Sequence, residues 1–438
     1  MSLEECDTGA PGEGGLSELR SRLTRRLGAL LVQLEGRVQR GRRAVATGAF
    51  LGLCLLCAFS CVGPRSAEIE EPDPEPTRLD GEPTIRVLLV EGRQTAKLTL
   101  KGLCAVLTAD DRGQPASEAA VAILQSKSGV QIKADGVIVE LVGVARYSGG
   151  IVLRPKDSGT LVVDGRRFHG DISIRAQDSK LRVINSLSLG NYLAGVIPKE
   201  MPLSYPEAAL DAQAIAARTY AIYHARRRQS LDHDVKNDTR SQVYGGADAE
   251  RPRSRAAVVR TRGLVATWKG AIFQTFFHST CGGQTVPAQW IFDGKQPGAL
   301  SGADCGRCVK SRYHRWAKSW DREKFVASLR DKGLSIVSPL TAISNDSWNR
   351  GGYLKAVVFT HAGGKTRVDA RKFRRLMGLR STSYALSLEG EKVNVKGAGW
   401  GHGVGLCQVG AGGFAKEGYT GVEIIEHYYP TAVVRKLY

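Results

Sequence analysis

Three short stretches carry residue types that can do chemistry. In "NYLAGVIPKEMPLSYP" (191–206), Glu200 sits between Pro198 and Pro202. Each proline fixes its own φ and restricts the residue before it, so this carboxylate has little backbone freedom. Ile197, Met201 and Leu203 surround it with apolar side chains, and desolvation raises a carboxyl pKa. A rigidly held carboxylic acid of raised pKa suits general acid catalysis. The plain alternative is a surface glutamate in a proline-rich turn.

"HSTC" (278–281) and "CGRC" (305–308) offer one imidazole and three thiolates. His278, Cys281, Cys305 and Cys308 make a four-ligand set suited to tetrahedral zinc, and the two-residue gaps let each pair chelate from one turn. The alternative is a disulfide between Cys305 and Cys308, with Cys281 free or paired to Cys104 or Cys407; an exported protein meets an oxidising compartment. The third stretch, "GWGHGVGLCQVGAGG" (399–413), is dense in glycine, which lets a backbone turn tightly or approach a ligand closely. A phosphate-binding loop would need Lys followed by Ser or Thr. Val404, Gly405, Leu406 and Cys407 stand there instead, which leaves a structural turn or another ligand.

The elements around these stretches set their context. The chain has 438 residues, 42% of them hydrophobic, and a formal net charge of +19. That length allows about two to three domains, and the basic balance suits a polyanionic partner such as an anionic cell wall or membrane. No nucleic-acid module is visible, neither an aromatic RNA-binding motif nor a zinc-finger spacing. "AVATGAFLGLCLLCAFSCV" (44–62) is uncharged and long enough to span a bilayer as a helix. The basic "RVQRGRR" (37–43) before it places residues 1–43 in the cytoplasm and the bulk of the chain outside. A lipid anchor at Cys61 is the alternative, although "AFSC" lacks the usual leucine. Upstream, Leu16, Leu19, Leu23, Leu27, Leu30, Leu34 and Val38 form a helical stripe ringed by arginines. It suits a membrane-surface helix or a coiled-coil partner.

Residues 63–84 read as an extended linker rich in Pro and Glu. From 85 to 180 the runs alternate or stay apolar between Gly, Asp and Asn breaks, which predicts a β-rich region. A helix is expected over 204–228, opened by a capping box of Ser204 and Glu207 with Pro206 in its first turn, and with Ala208, Ile215, Ala216, Tyr220 and Tyr223 on one face. Short strands, a loop-rich insert at 281–312, a helix near 321–332 and strands near 353–361 and 392–396 follow. The fold class expected is α+β: a β-rich first part, then a mixed α/β domain over 181–438, preceded by one membrane-spanning helix.

Taken together, "NYLAGVIPKEMP", "EAALDAQAIAARTYAIYH", "TRSQVYGGA", "AAVVRTRGLVATWKG", "FFHSTCGGQT" and "GWGHGVGLCQVGAGGFAKEGYTGVEIIEHYYP" resemble the SpoIID/LytB family, the stage II sporulation protein D type of peptidoglycan lytic transglycosylase. The resemblance runs from about 180 to 438, more loosely back to about 150. It implies cleavage of glycan strands between N-acetylmuramic acid and N-acetylglucosamine, on strands already stripped of stem peptides, leaving 1,6-anhydro ends. By motif match Glu200 is the implied catalytic carboxylate. The family's "HS-x-x-GG" stretch falls on His278, Ser279, Gly282 and Gly283, and some members hold zinc there with His and Cys. Cys407 replaces a more usual serine, which leaves a hydrogen-bonding role at that position open. Arg218, Tyr220, Ser279, His402 and Gln408 are expected to bind substrate. Implied partners are peptidoglycan strands, the membrane through 44–62, and an amidase or other cell-wall enzyme. The amidase-enhancer branch implies a rival reading, a glycan-binding module that does not cut.

Overall fold

The computed structural model of the protein describes residues 78–100, 102–125, 129–156, 159–347 and 353–438. The expected membrane span at 44–62, the basic segment before it and most of the linker lie outside these residues. No described helix is long and apolar enough to cross a membrane.

Apolar alternation builds the first layers. The strands are β1 (Thr84–Arg93), β2 (Thr95–Leu100), β3 (Leu103–Ala109), β4 (Ala122–Gln125), β5 (Gly129–Asp135), β6 (Ile138–Leu141), β7 (Ala145–Ser148), β8 (Gly150–Pro155), β9 (Leu161–Val163), β10 (Arg166–Phe168), β11 (Asp171–Gln177), β12 (Lys180–Ser188) and β13 (Val235–Lys236). Among the described residues they form two sheets, in the orders β13-β1-β12-β11-β8-β3-β4 and β10-β9-β2-β5-β6-β7. Inward residues such as Ile85, Ile172, Ile174 and Val183 of the first sheet share one core with Leu98, Ile132 and Val163 of the second. Burying one face of each sheet in this way is the main source of stability for such layers. The expected β-rich region is therefore present.

β12 runs directly into helix α1 (Leu189–Glu200), where the Ser188 hydroxyl accepts the Asn191 N–H at 3.4 Å as N-cap. Helix α2 (Glu207–Arg227) follows. It starts three residues later than the sequence suggests, and the Ser204–Glu207 capping box does not form: Pro206 is the N-cap and no side chain caps the helix. The cause is local, because a residue before proline, here Tyr205, is steered away from helical ψ. Nor is α2 amphipathic. Thirteen of its residues, from Ala209 to Ile222, are buried, as expected of a helix surrounded by protein. Its alanines let neighbours approach on every side.

Those neighbours are α3 (Pro252–Arg260), β14 (Leu264–Trp268), and, after β15 (Ala271–Ile272) and β16 (Phe277–His278), the C-terminal elements of the chain. Residues 315–398 lie between, with a core of their own that includes Trp316, Phe325, Phe359, Phe373 and Val395. They comprise β17 (Arg315–Asp321), α4 (Arg322–Asp331), β18 (Leu340–Ser347), β19 (Leu354–His361), β20 (Gly364–Asp369), α5 (Ala370–Met377), β21 (Tyr384–Glu389) and β22 (Lys392–Ala398). The chain then returns to α2 through β23 (Leu406–Cys407), α6 (Gln408–Lys416), α7 (Gly421–Tyr428) and β24 (Val433–Lys436).

Candidate functional site

Glu200 is the last residue of α1, and Pro198 lies inside that helix. A proline there has no N–H for the carbonyl of Ala194. The buried Ser254 hydroxyl of α3 lies 3.1 Å from that carbonyl and shares its proton between it and the Arg251 carbonyl at 2.9 Å, and α1 stays intact up to its final residue. The Glu200 Oε1 accepts the Val243 N–H at 2.6 Å. Burial pushes its pKa above the ordinary 4.5, partly offset by that bond. With Oε1 taken by the amide, Oε2 is the oxygen left to carry a proton.

Glu200 opens into a cleft of about 680 Å³, lined also by Tyr220, Arg240, Ser241, Gln274, Phe276, His278, Phe292, Asp293 and His402. Phe276 and Phe292 stack at 4.2 Å and form an apolar wall. β16 sets His278 beside it: Nδ1–H donates to the Val404 carbonyl at 3.1 Å. His278 is 4% exposed, and its Nε2 is buried with no partner among the described residues. In that tautomer Nε2 is an acceptor. His402 is held at both ends, with Nε2–H on the Phe277 carbonyl at 3.0 Å and Nδ1 accepting the Val404 N–H at 3.1 Å. Burial pushes His278 down to about 4 and His402 down to about 3, so both rings are neutral at pH 7.

The other expected substrate residues divide. Tyr220 lines the cleft with His402. Arg218 does not. Two residues along a helix turn through about 200°, so Arg218 faces away from Tyr220. It is 1% exposed and donates to Thr261 Oγ1, Leu264 O and Val258 O, each at 3.2 Å. Its work is to tie α2 to α3 and β14. Gln408 is buried against α2, where its Nε2 donates to Gln213 Oε1 at 3.2 Å. The Ser279 hydroxyl lies 3.3 Å from Thr280 Oγ1, outside the cleft lining. Glu207 is exposed and pairs with Arg260 at 3.4 Å. The second carboxylate in the cleft is Asp293, 95% exposed at its side chain. Sequence reading missed Asp293, and it missed Arg240, Ser241 and Val243, although the last three fall inside the quoted "TRSQVYGGA".

The cysteines gather where β16 pairs with β23, with one change of membership. Cys281, Cys305, Cys308 and Cys407 are buried and free, and their sulfurs all lie within 4.8 Å of one another. His278 is not in the set; its place is taken by Cys407, because the chain from 278 to 281 turns the imidazole into the cleft and the thiol away from it. Cys104 is in β3, buried and free. Each sulfur has a polar neighbour. Cys407 Sγ accepts the N–H groups of Cys281 and Gly410, both at 3.3 Å, and Cys281 Sγ accepts that of Gly283 at 3.4 Å. Tyr428 Oη lies 3.1 Å from Cys305 Sγ, and His314 Nδ1 3.5 Å from Cys308 Sγ. A zinc ion with Zn–S bonds of about 2.3 Å sets its four sulfurs roughly 3.8 Å apart. The 3.6 Å between Cys281 and Cys308 is close to that, and N–H donors steady thiolate charge. The donor set fits the metal.

The family model described as SpoIID, stage II sporulation protein, matches residues 177–268, the stretch that holds Glu200, α1 and α2. A protein of Brachyspira hyodysenteriae is 31% identical over 299 residues, 67% of this chain and 78% of its own length. The chain belongs to the SpoIID family. Stage II sporulation protein D of Bacillus subtilis is 27% identical over 275 residues, covering 59% of this chain and 77% of that protein. The amidase enhancer of Bacillus subtilis is 23% identical over 343 residues, and this chain spans about half of its length (48%). The SpoIID model stops short of the cysteines and the 399–413 stretch.

Proposed function

We propose that this SpoIID-family chain is a peptidoglycan lytic transglycosylase acting on glycan strands that lack stem peptides. A cell-wall-related function is supported by its relatives, the sporulation protein and the amidase enhancer. The finer reading rests on one observation: a fixed carboxyl of raised pKa at the mouth of a cleft with an apolar wall and an unpartnered imidazole. Hydrolytic glycosidases need two carboxyl groups; a lytic transglycosylase can work with one. The Glu200 Oε2 proton goes to the bridging O4 as the bond from muramic C1 to O4 breaks. The muramic O6 then bonds to C1, and its proton returns to Glu200. The C6 hydroxyl donates to the Glu200 carboxylate that the first step leaves ionised, and Tyr220 and Gln274, which line the cleft, contact the sugar.

On the same reading, Cys281, Cys305, Cys308 and Cys407 would hold one zinc ion. An ion held by four thiolates would supply a cross-link and not a reactive position. It would join the 281–283 loop, the 305–308 turn and the start of α6. Residues 44–62 anchor the chain, with the cleft on the exported side.

The test is Glu200→Gln in the purified full chain. Gln keeps the shape but has no proton to give. Cleavage of peptide-free strands falls by about a hundred- to ten-thousand-fold, while glycan binding and melting temperature hold. Wild-type cleavage by this variant overturns the assignment. The amidase-enhancer relative favours a second reading, a glycan-binding module that stimulates a separate amidase. Its mark is amidase stimulation that survives Glu200→Gln in a chain that never cuts.

A further inference from the structure

Trp400 is 42% exposed beside the cleft, an unusual place to leave a large aromatic ring in water. It is not a loose side chain. Its main-chain N–H donates to the Thr280 carbonyl at 2.7 Å, and its main-chain carbonyl accepts the Thr280 N–H at 3.0 Å. Trp316 Nε1–H holds the preceding Gly399 carbonyl at 2.9 Å, and the Gly401 N–H donates to Arg380 O at 3.0 Å. Gly399 and Gly401 both have positive φ, 76° and 118°. A Cβ on Gly401 would meet His278 Cβ at 2.6 Å. The residues that follow Trp400, Gly401 and His402, line the cleft. The backbone that carries the ring is therefore held on both sides, next to residues that line the cleft.

Its surroundings have a definite chemistry. Tyr313 meets Trp400 edge-on, with centroids 4.3 Å apart and an interplanar angle of 84°. Arg312 and Arg380 lie over the Tyr313 ring at 4.6 and 4.9 Å, and Arg380 also lies 5.9 Å from the Trp400 centroid. Among the described residues neither guanidinium has a carboxylate partner in an ion pair. An exposed aromatic face beside two unpaired guanidiniums fits a ligand with a flat C–H face and an anion next to it. The C–H face of a pyranose packs on aromatic rings, and guanidinium binds carboxylate in a forked geometry.

We propose that Trp400, Tyr313, Arg312 and Arg380 form a glycan subsite that reads peptide-free muramic acid. One sugar of the strand leaving the cleft lies on Trp400, and the lactyl carboxylate of a muramic residue pairs with Arg380 and Arg312. In a strand that carries stem peptides that carboxylate is an amide and cannot pair. This rests on the glycan-cleaving reading above, and it adds a residue-level cause for the preference for stripped strands.

The test measures binding of peptide-free and peptide-bearing glycan strands to the full chain carrying Glu200→Gln, which prevents turnover. Adding Trp400→Ala weakens binding of peptide-free strands by about tenfold or more, as truncating an aromatic anchor does, while Trp400→Tyr retains most of it. Adding Arg312→Gln with Arg380→Gln removes the preference for peptide-free over peptide-bearing strands and leaves the melting temperature in place. If Trp400→Ala binds as tightly as its parent, or the double arginine variant keeps the preference, the subsite is wrong while the catalytic reading stands. If the Glu200→Gln parent binds no glycan of either kind, both fall together.

Discussion

Two polar constellations meet at the short segment 278–281, and they differ in what they leave open. On one side, Glu200, His278 and His402 face a cleft of about 680 Å³. On the other, four thiols are packed within 4.8 Å of one another with no exposed sulfur-bearing residue among them. The open side places the Glu200 carboxyl against that cleft and holds a buried nitrogen without a partner among the described residues, the His278 Nε2. The closed side gives every sulfur a protein neighbour. A desolvated carboxyl lining a cavity can act on a ligand. Buried groups packed against one another and against the protein can cross-link the chain and little else. The sequence puts His278 and Cys281 into one motif, and the fold parts them.

The strongest way to break this contrast is to exchange the two candidates for the fourth ligand. Cys407→Ser keeps an atom to cap α6 in place of the sulfur that accepts the Gly410 N–H but lacks a thiolate. Elemental analysis of the full chain should show about one zinc per chain in the wild type and in His278→Ala, and little or none in Cys407→Ser. Zinc lost with His278→Ala and kept in Cys407→Ser would restore the imidazole to the metal and empty the cleft of its acceptor. Acid should release the ion from wild type, because protonated thiols do not bind it.

A second expectation sharpens the open side. Glu200 must be protonated to act, and burial raises its pKa above 4.5. Cleavage should therefore be lost as pH rises through an apparent value above 4.5, read from the pH profile of kcat/KM. The same shift has a consequence for stability. The folded state holds this proton more tightly than the unfolded chain, so stability falls as pH rises from the unfolded to the folded pKa and is flat above. Glu200→Gln never ionises, so at neutral pH it should melt at or above the wild-type temperature. A drop in melting temperature would show that the carboxylate is a structural group.

The smallest effect tests how the acid is held. Ser254→Ala takes a donor from the buried Ala194 carbonyl and, in the same step, the capping bonds Ser254 makes to Arg251. An unsatisfied buried group costs about 1–3 kcal/mol, so denaturant unfolding should show a loss of that order, while zinc content is unchanged.

Much of the open side was legible in the sequence. The proline-flanked Glu200, the apolar residues beside it, and the motif containing His402 all pointed toward one place. What failed was rotational or long-range. Arg218 and Tyr220 look like neighbours along the chain, but a helix turns them apart. Helix α1 was hidden because Pro198 reads as a helix breaker; its lost hydrogen bond is replaced from Ser254, 56 residues away in sequence, on another helix. Helix α6 was hidden by its glycines, which look like loop. Gly410 is there because a Cβ would collide with the Tyr428 hydroxyl and Cys305 Sγ, a contact no local pattern announces. Cys407 was recognised as a departure from serine, but its partners come from residues more than 95 positions earlier, so its membership in the thiol cluster appears only in three dimensions.

The central claim is that a single acid, Glu200, drives attack by the substrate's own hydroxyl. Incubating the full chain with peptide-free glycan strands and weighing the fragments tests it most directly. The account predicts fragments ending in 1,6-anhydromuramic acid, lighter by one water than hydrolysis products. Reducing ends would contradict it, since water would then be the nucleophile and the exposed Asp293 would become the candidate second carboxylate.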